Sequence, residues 1–296
     1  MAWTTFKDLK IIPAKKPKIK NRYSVSTDIV LFQRCPRHYG FYEFYKFLPS
    51  APRPIYFGSL LHEVLNRIHK HYFGVPEPRT KGAIPTDEEI DQFILEVENT
   101  LRARGYPLIR KSIIDAAKRL LILFNKIEGP SLYPRVIDTE HRLSTTRKEY
   151  IITGAVDLLV GSKNEIEIWD YKGTHRPEPD SEMLRRYEFQ MRLYSELYRM
   201  RHDKYPDSAR MYFLSELDRK PTPKKRPEEA IHQVDLDRKK MKGTLEEFDQ
   251  IVGEIEACRE KGVWPSPTES KRPEEICDFC DFRWSCRGSK YSMRYP

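Results

Sequence analysis

Two aspartates and a lysine form the spacing in this sequence that most strongly indicates chemistry. Asp157 lies in GAVDLLV, and Asp170 and Lys172 lie in EIWDYKG, on either side of a turn at residues 161–164. The aspartates are almost equidistant from that turn, so we expect them to face each other across two antiparallel strands, within one register step, with Lys172 on the same face. Like charges that oppose each other on a sheet are destabilising. A divalent cation between them, magnesium or manganese, would remove the repulsion and could polarise a phosphodiester.

Lys172 would then orient or deprotonate a water molecule, or neutralise charge in the transition state. The alternative is that all three are solvent-facing strand residues and that the lysine balances the aspartates. Val156 and Leu158 flank Asp157. Charged groups in such apolar strands are unfavourable unless they have a role, which favours the catalytic interpretation.

These motifs resemble the PD-(D/E)XK nucleases, and within them the RecB-like exonuclease branch. That branch has an aspartate at the end of one strand and Asp-x-Lys on the next, which correspond to Asp157, Asp170 and Lys172 as catalytic residues. In GSLLHE, His62 corresponds to a helix histidine that joins the metal ligands Asp157 and Asp170. The resemblance implies an α/β fold with a restriction-endonuclease-like core, in which helices flank a mixed central sheet.

The same branch carries a Q-x-x-x-Y motif, which corresponds to Gln190 and Tyr194 in QMRLY. These residues are four apart, so they project from one helix face, and Arg186 extends that face by a turn. We expect the three to bind DNA through phosphate contacts and base stacking, although such a stripe is often ordinary helix surface. His69 and His71 gain no such support and are predicted to lie on the surface.

Four of the five cysteines form a three-plus-one set. Cys277, Cys280 and Cys286 follow a C-x2-C-x5-C pattern, and Cys35 lies far upstream. Four thiolates suit zinc, but zinc sites tend to use two close pairs, so this layout suits an iron-sulfur cluster better. The resemblance implies a four-iron four-sulfur cluster, as in the AddB nuclease domain and the CRISPR-associated iron-sulfur exonucleases. Such a cluster would join the first helix to the C-terminal tail, and Cys258 is expected to take no part.

Hydropathy periods predict the elements that position these residues. Helices are expected from about Ser26 with a disturbance at Pro36, after Gly58, and across residues 86–128. The period then changes to two, which predicts three strands over residues 141–173. A helix at 182–200, a strand at 209–217 and one long helix at 237–261 are expected to follow.

This pattern predicts a basic, mobile arm at residues 1–22 and a single domain at residues 23–296, which the resemblance implies is a RecB-like nuclease domain. Within the domain we expect a helical insertion at about 73–130 and a catalytic core at about 138–220. An iron-sulfur tail at about 264–290 would close onto Cys35.

Composition is compatible with a nucleic-acid partner but does not require one. Lys and Arg exceed Asp and Glu by 53 to 44, which gives a net charge of +9. The sequence shows neither the apolar segment of a secretory signal nor an apolar run long enough to span a membrane. We therefore expect a cytoplasmic protein that does not enter a membrane.

Together these features predict a metal-dependent DNA nuclease, acting as an exonuclease on single-stranded or frayed ends in recombination, repair or CRISPR spacer processing. A non-catalytic DNA-binding subunit of a helicase-nuclease complex is the alternative, and a zinc-stabilised scaffold would leave the aspartates unexplained. The chain lacks a Walker A motif, so any ATP-driven unwinding would come from a separate helicase. A CRISPR adaptation protein is another expected partner.

Overall fold

The computed structural model describes most of the 296-residue chain. The predicted arm lies outside the described residues up to residue 20, and Arg22 already belongs to a strand. The described residues are 21–47, 53–106, 110–162, 164–219, 223–266, 274–278 and 280–291.

A six-stranded mixed sheet forms the centre of the fold, as predicted for this fold class. Three antiparallel strands arise where the hydropathy period is two: β2 (Val136–Arg147), β3 (Tyr150–Ser162) and β4 (Glu165–Lys172). The predicted strand at 209–217 is shorter, because its second half forms a 3-10 turn. The remaining strands are β1 (Arg22–Ser24), β5 (Ser208–Phe213) and β6 (Ile231–Val234).

One edge of β3 is shared by two strands. β2 pairs along the other edge for almost the whole length of β3, while β1 pairs in parallel only up to Thr153 and β4 pairs in antiparallel fashion only from Leu158. Residues 154–157 therefore face a gap in the sheet. Because β1 and β4 run in opposite directions, their carboxyl ends meet at this gap.

Helices cover both faces of the sheet, which confirms the predicted layered architecture. On one face, α6 (Glu182–His202) packs against β3 and β5 around Val156 and Met211. On the other, α3 (Arg53–Phe73) and α5 (Lys111–Leu132) enclose Trp169 and Tyr212, and α4 (Asp87–Ala103) packs against α3. No helix in the described ranges is both long and apolar enough to cross a membrane.

The first helical segment is more irregular than the period predicts. Ser24, rather than Ser26, caps it by accepting a hydrogen bond from the backbone of Thr27. Two short helices, α1 (Leu31–Arg34) and α2 (Pro36–Tyr39), are separated by Cys35, whose backbone is extended. The residue before a proline is driven out of the helical region, so Pro36 explains the break. Turns of π-helix precede and follow these helices, at Val25–Val30 and Gly40–Phe44.

The predicted long helix at 237–261 is also interrupted. It consists of α7 (Arg238–Met241) and α8 (Thr244–Lys261), because Gly243 adopts a φ of 89° that ends one helix before the next begins. The last helix, α9 (Glu274–Asp278), carries Cys277.

Asp249 connects α8 to the turn between β2 and β3. Its carboxylate accepts hydrogen bonds from Arg147 at 2.8 and 2.9 Å, pairs with Lys148 at 2.7 Å and contacts the hydroxyl of Tyr150. Burial alone would raise the pKa of Asp249, but these donors lower it to about 2. The side chain of Asp249 is only 11% exposed, so the interaction is weakly screened by solvent.

Asp249→Asn should lower the free energy of unfolding at neutral pH by about 1–3 kcal/mol, the range for hydrogen bonds to charged groups. The folded-state pKa lies below the unfolded value, so this contribution is present above about pH 4 and is lost as the pH falls through about 2. Urea unfolding at pH 7, 4 and 3 should show the difference from wild type shrinking. Asp235→Asn, at an exposed pair, is the control with little effect. A difference that grows on acidification would contradict the prediction.

Candidate active site

Asp157 occupies the gap in the sheet. The register between β3 and β4 ends with Leu158 opposite Trp169, so Asp157 and Asp170 are the next positions along, facing each other as predicted. The alternation of faces is broken here, because Val156 and Leu158, two residues apart, pack into the cores on opposite faces of the sheet.

The carboxylate of Asp157 contacts two other elements. One oxygen accepts a hydrogen bond of 2.5 Å from the backbone N–H of Tyr171, and the other lies 3.1 Å from Nδ1 of His62 on α3. Burial lowers the pKa of His62, but the Asp157 carboxylate outweighs it and raises the pKa to about 9. The protonated imidazole therefore neutralises Asp157 when nothing else does.

Asp170 and Lys172 form a buried ion pair on the same face of β4. Lys172 Nζ lies 2.7 Å from a carboxylate oxygen of Asp170 and donates to Oε1 of Gln190 at 2.9 Å. It also lies 4.4 Å from the ring centroid of Tyr187. Burial raises the pKa of Asp170, which Lys172 opposes and Asp157 reinforces. For Lys172, burial lowers the pKa, but the pairing with Asp170 outweighs it and the net shift is upward.

Helix α6 contributes Gln190 and Tyr194 to this network. Gln190 donates to the Tyr194 hydroxyl at 2.9 Å and approaches Asp170 at 3.5 Å. Both residues are almost fully buried, so the ring of Tyr194 is not open for base stacking in this arrangement. Arg186 lies one turn before Gln190 on the same helix and pairs with Glu182 at 3.9 Å. The assignment of these three residues to DNA binding stays a prediction.

A further carboxylate, Glu140, stands beside the predicted residues. Its neighbours on β2 pair with Leu158 and Val156, so Glu140 lies opposite Asp157 from the other side. The ligand atoms of His62, Glu140 and Asp157 all lie within 4.8 Å of one another. Burial, and then Asp157, raise the pKa of Glu140. Glu140 is absent from the residues predicted from the sequence, although counting back equal distances from the turn at 148–149 places it opposite Asp157.

The site opens into a cavity of about 1750 Å³ between the sheet, α3 and α4. Side chains of His62, Asp157, Asp170, Lys172 and Gln190 line its inner end. Several basic side chains line the remainder: Arg67, Lys70, Arg79, Arg104 and Arg142. Glutamates line the same walls, and Glu96, Glu77 and Glu63 pair with Arg67, Arg79 and Arg104. The cavity is therefore wide and polar, with charges of both signs along its walls.

The prediction that His69 and His71 lie on the surface is wrong. His69 is 1% exposed and exchanges a hydrogen bond of 3.0 Å with the hydroxyl of Tyr171, behind the site. Its burial lowers its pKa to about 3, so it stays neutral. His71 is 8% exposed and packs near Phe93. His69 is covered by Phe124 of α5 and by Tyr133, and His71 is covered by Phe93 of α4. The hydropathy period of one helix does not reveal such contacts.

The four predicted cysteine ligands line one small cavity, while Cys258 is not among its lining residues. The extended backbone at Cys35 lets its sulfur accept from the backbone N–H of His38 at 3.4 Å. The sulfur of Cys286 accepts a hydrogen bond of 3.6 Å from Arg37 and forms another of 3.6 Å with the hydroxyl of Ser266. Burial raises the pKa of Cys35 to about 11, whereas at Cys286 the two donors outweigh burial and lower it.

Comparison with known proteins identifies the family. Residues 22–287 match the family model of the PD-(D/E)XK nuclease superfamily. The fold is similar to the crystal structure of a candidate exonuclease from Eubacterium rectale, with 13% identity, coverage of 100% of this chain and 96% of that one, and a TM-score of 0.50. The crystal structure of SSO0001 matches with 15% identity, coverage of 94% and 90%, and a TM-score of 0.40. No curated protein matches by sequence.

Gly154→Ala should disturb the site from behind. A Cβ at this position would lie 2.8 Å from Cε1 of Tyr194 and 3.2 Å from Leu197, so the tyrosine must move. We expect a loss of about 1–3 kcal/mol in unfolding free energy, as for other overpacked cores, measured by chemical denaturation. Gly253→Ala, in α8 with nothing within 4 Å, should instead stabilise by up to about 1 kcal/mol. A Gly154→Ala protein as stable as wild type would contradict this packing.

Proposed function

The chain belongs to the PD-(D/E)XK nuclease superfamily, and we propose that it is a metal-dependent DNA nuclease of the RecB-like branch, with Asp157, Asp170 and Lys172 as its catalytic residues. One observation carries the proposal: two carboxylates and a buried ammonium group converge from adjacent strands at the inner end of an open polar cavity. The burial of these charges argues against the alternative of solvent-facing strand residues.

The donor set fits a hard divalent cation. Asp157 and Asp170 offer oxygen ligands and His62 offers a nitrogen, a combination that suits magnesium or manganese. A neutral His62 is required for binding, so the cation would replace the proton that now lies between His62 and Asp157. When bound, a divalent cation polarises a phosphodiester and makes a water molecule more acidic.

Lys172 is held in place by two oxygen acceptors, one from Asp170 and one from Gln190. A fixed ammonium group at this position can donate hydrogen bonds to a phosphate oxygen and stabilise the negative charge that develops there. We propose that Gln190 aligns Lys172 through its amide oxygen. The amide nitrogen of Gln190 is held in turn by the hydroxyl of Tyr194, to which it donates a hydrogen bond. Arg186 is proposed to contact the DNA backbone.

The resemblance to the RecB-like branch implies an exonuclease that acts on single-stranded or frayed ends in recombination, repair or CRISPR spacer processing. The width of the cavity and the cations along its walls are compatible with a DNA strand that enters towards Asp157. A separate helicase or a CRISPR adaptation protein would supply such ends.

We further propose that Cys35, Cys277, Cys280 and Cys286 hold a four-iron four-sulfur cluster with a structural role. The four thiols converge on one cavity, and Cys35 lies in the break that Pro36 imposes on the first helical segment. The tail contacts that segment through aromatic packing as well, with the rings of Phe41 and Phe282 stacked 3.8 Å apart. A cluster would add a covalent connection to this contact.

Asp170→Asn should lower the rate of DNA hydrolysis about a thousandfold or more, because several kcal/mol of transition-state stabilisation depend on the metal centre. The assay uses labelled single- and double-stranded DNA with manganese or magnesium, and chelation with EDTA should abolish cleavage. Glu165→Gln, at the exposed start of the same strand, is the matched control. Equal cleavage by wild type and Asp170→Asn would refute the assignment. DNA binding without cleavage in wild type would support the non-catalytic alternative.

Anaerobically purified protein should be brown and contain about four iron atoms per chain. Cys286→Ser should lose the colour and the iron, whereas Cys258→Ser should keep both, because Cys258 lies outside the cysteine cavity. Visible spectroscopy and metal analysis measure the difference. A colourless wild-type protein that carries zinc would exclude the cluster without affecting the nuclease assignment.

A further inference from the structure

Glu140 is a carboxylate that the catalytic triad of residues does not use. We propose that Glu140 is a further ligand of the divalent cation and binds it from the β2 side of Asp157, opposite Asp170. This inference rests on the proposed nuclease function and extends its metal site to a third strand.

The register of the strands supports Glu140 as a ligand. Glu140 lies opposite Asp157 on β2, and Asp170 lies opposite Asp157 on β4, so three carboxylates form a row across three adjacent strands. The β3–β4 hairpin alone would supply only two of these carboxylates, and β2 supplies the third. Directly opposed like charges destabilise a sheet, and here Asp157 has one on each side.

The nitrogen ligand His62 lies close to both Glu140 and Asp157. The ligand atoms of Glu140, Asp157 and His62 are mutually within 4.8 Å, a spacing from which small side-chain rotations bring all three to one ion. Two carboxylates and one imidazole, drawn from two strands and a helix, form a mixed oxygen and nitrogen set of the kind that manganese accepts.

Glu140 differs from other glutamates of the cavity in its ion-pair partners. Two other glutamates that line the cavity are neutralised by arginines, Glu63 by Arg104 and Glu96 by Arg67, each at 2.5 Å. Among the residues that the structure describes, no ion pair or hydrogen bond is formed by the side chain of Glu140, which is half-buried. Burial disfavours the charged form of a carboxylate, and a cation bound nearby would offset that cost.

The charges of the site also balance with Glu140 included. The three carboxylates and the ammonium group of Lys172 together carry two negative charges when His62 is neutral, with Lys70 on the wall of the same cavity. One divalent cation neutralises them. Without Glu140, the same cation would leave the centre with a positive charge before the DNA phosphate arrives.

The test is a direct measurement of metal binding. Titration calorimetry of Mn²⁺ into the anaerobic full-length protein should give a dissociation constant about tenfold or more higher for Glu140→Gln than for wild type. Glu96→Gln is the control, because Glu96 lines the same cavity but is committed to Arg67. The control should bind Mn²⁺ as wild type does.

Thermal unfolding separates a metal ligand from a structural residue. A tenfold weaker site reduces the stabilisation by saturating Mn²⁺ by about 1.4 kcal/mol. Without metal, Glu140→Gln should be at least as stable as wild type, because one of three repelling charges is gone. A variant that is less stable without metal and keeps the full Mn²⁺ stabilisation would show that Glu140 is structural.

Wild-type Mn²⁺ affinity in Glu140→Gln would overturn the inference and leave the nuclease assignment intact, since that assignment depends on the loss of cleavage in Asp170→Asn. Conversely, equal cleavage by wild type and Asp170→Asn would refute the catalytic assignment of Asp170. A weakened Mn²⁺ site in Glu140→Gln would still identify Glu140 as a ligand.

Discussion

Electrostatic repulsion among carboxylates at one point of the sheet is the constraint on which this site depends. Asp157 stands between Glu140 and Asp170, and the structure tolerates the group through an ion pair with Lys172 and through the imidazole of His62. Each of these partners is positive or able to be, and each comes from the elements that surround the gap. The negative charge of the three carboxylates favours a bound cation, because the side chains of the protein neutralise that charge only in part.

The gap in the sheet is what allows so many charges to meet. If β1 or β4 continued along the whole edge of β3, backbone hydrogen bonds would occupy the space at residues 154–157. Instead, Asp157 accepts a hydrogen bond from the backbone of Tyr171, and α6 inserts Tyr194 against Gly154. The broken alternation of faces at Asp157 and the positive φ of 52° at Glu140 occur on adjacent strands at the same level. Irregularities of this kind re-aim side chains and are common near active sites.

The first helical segment packs against residues that follow α8 near the C-terminal end of the described chain. Trp264, after α8, packs against Gly40 so closely that a Cβ there would lie 2.3 Å from the indole ring, and Phe282 stacks on Phe41. The first helical segment follows directly from β1, whose carboxyl end lies at the gap, so whatever stabilises this contact also stabilises one wall of the site. The proposed cluster would act at this contact, and its role would be to hold the segment rather than to take part in hydrolysis.

The sequence alone determined the class of fold, because alternating hydropathy and its change to a helical period are local properties of the chain. It also determined that Asp157, Asp170 and Lys172 share a face, since a tight turn sets the register of a hairpin. Only the tertiary structure decided what lies around them. The covering of His69 by α5 and of His71 by α4, the burial of Tyr194 and the position of Glu140 depend on which elements pack together. Such contacts between residues far apart in sequence leave no local pattern to read.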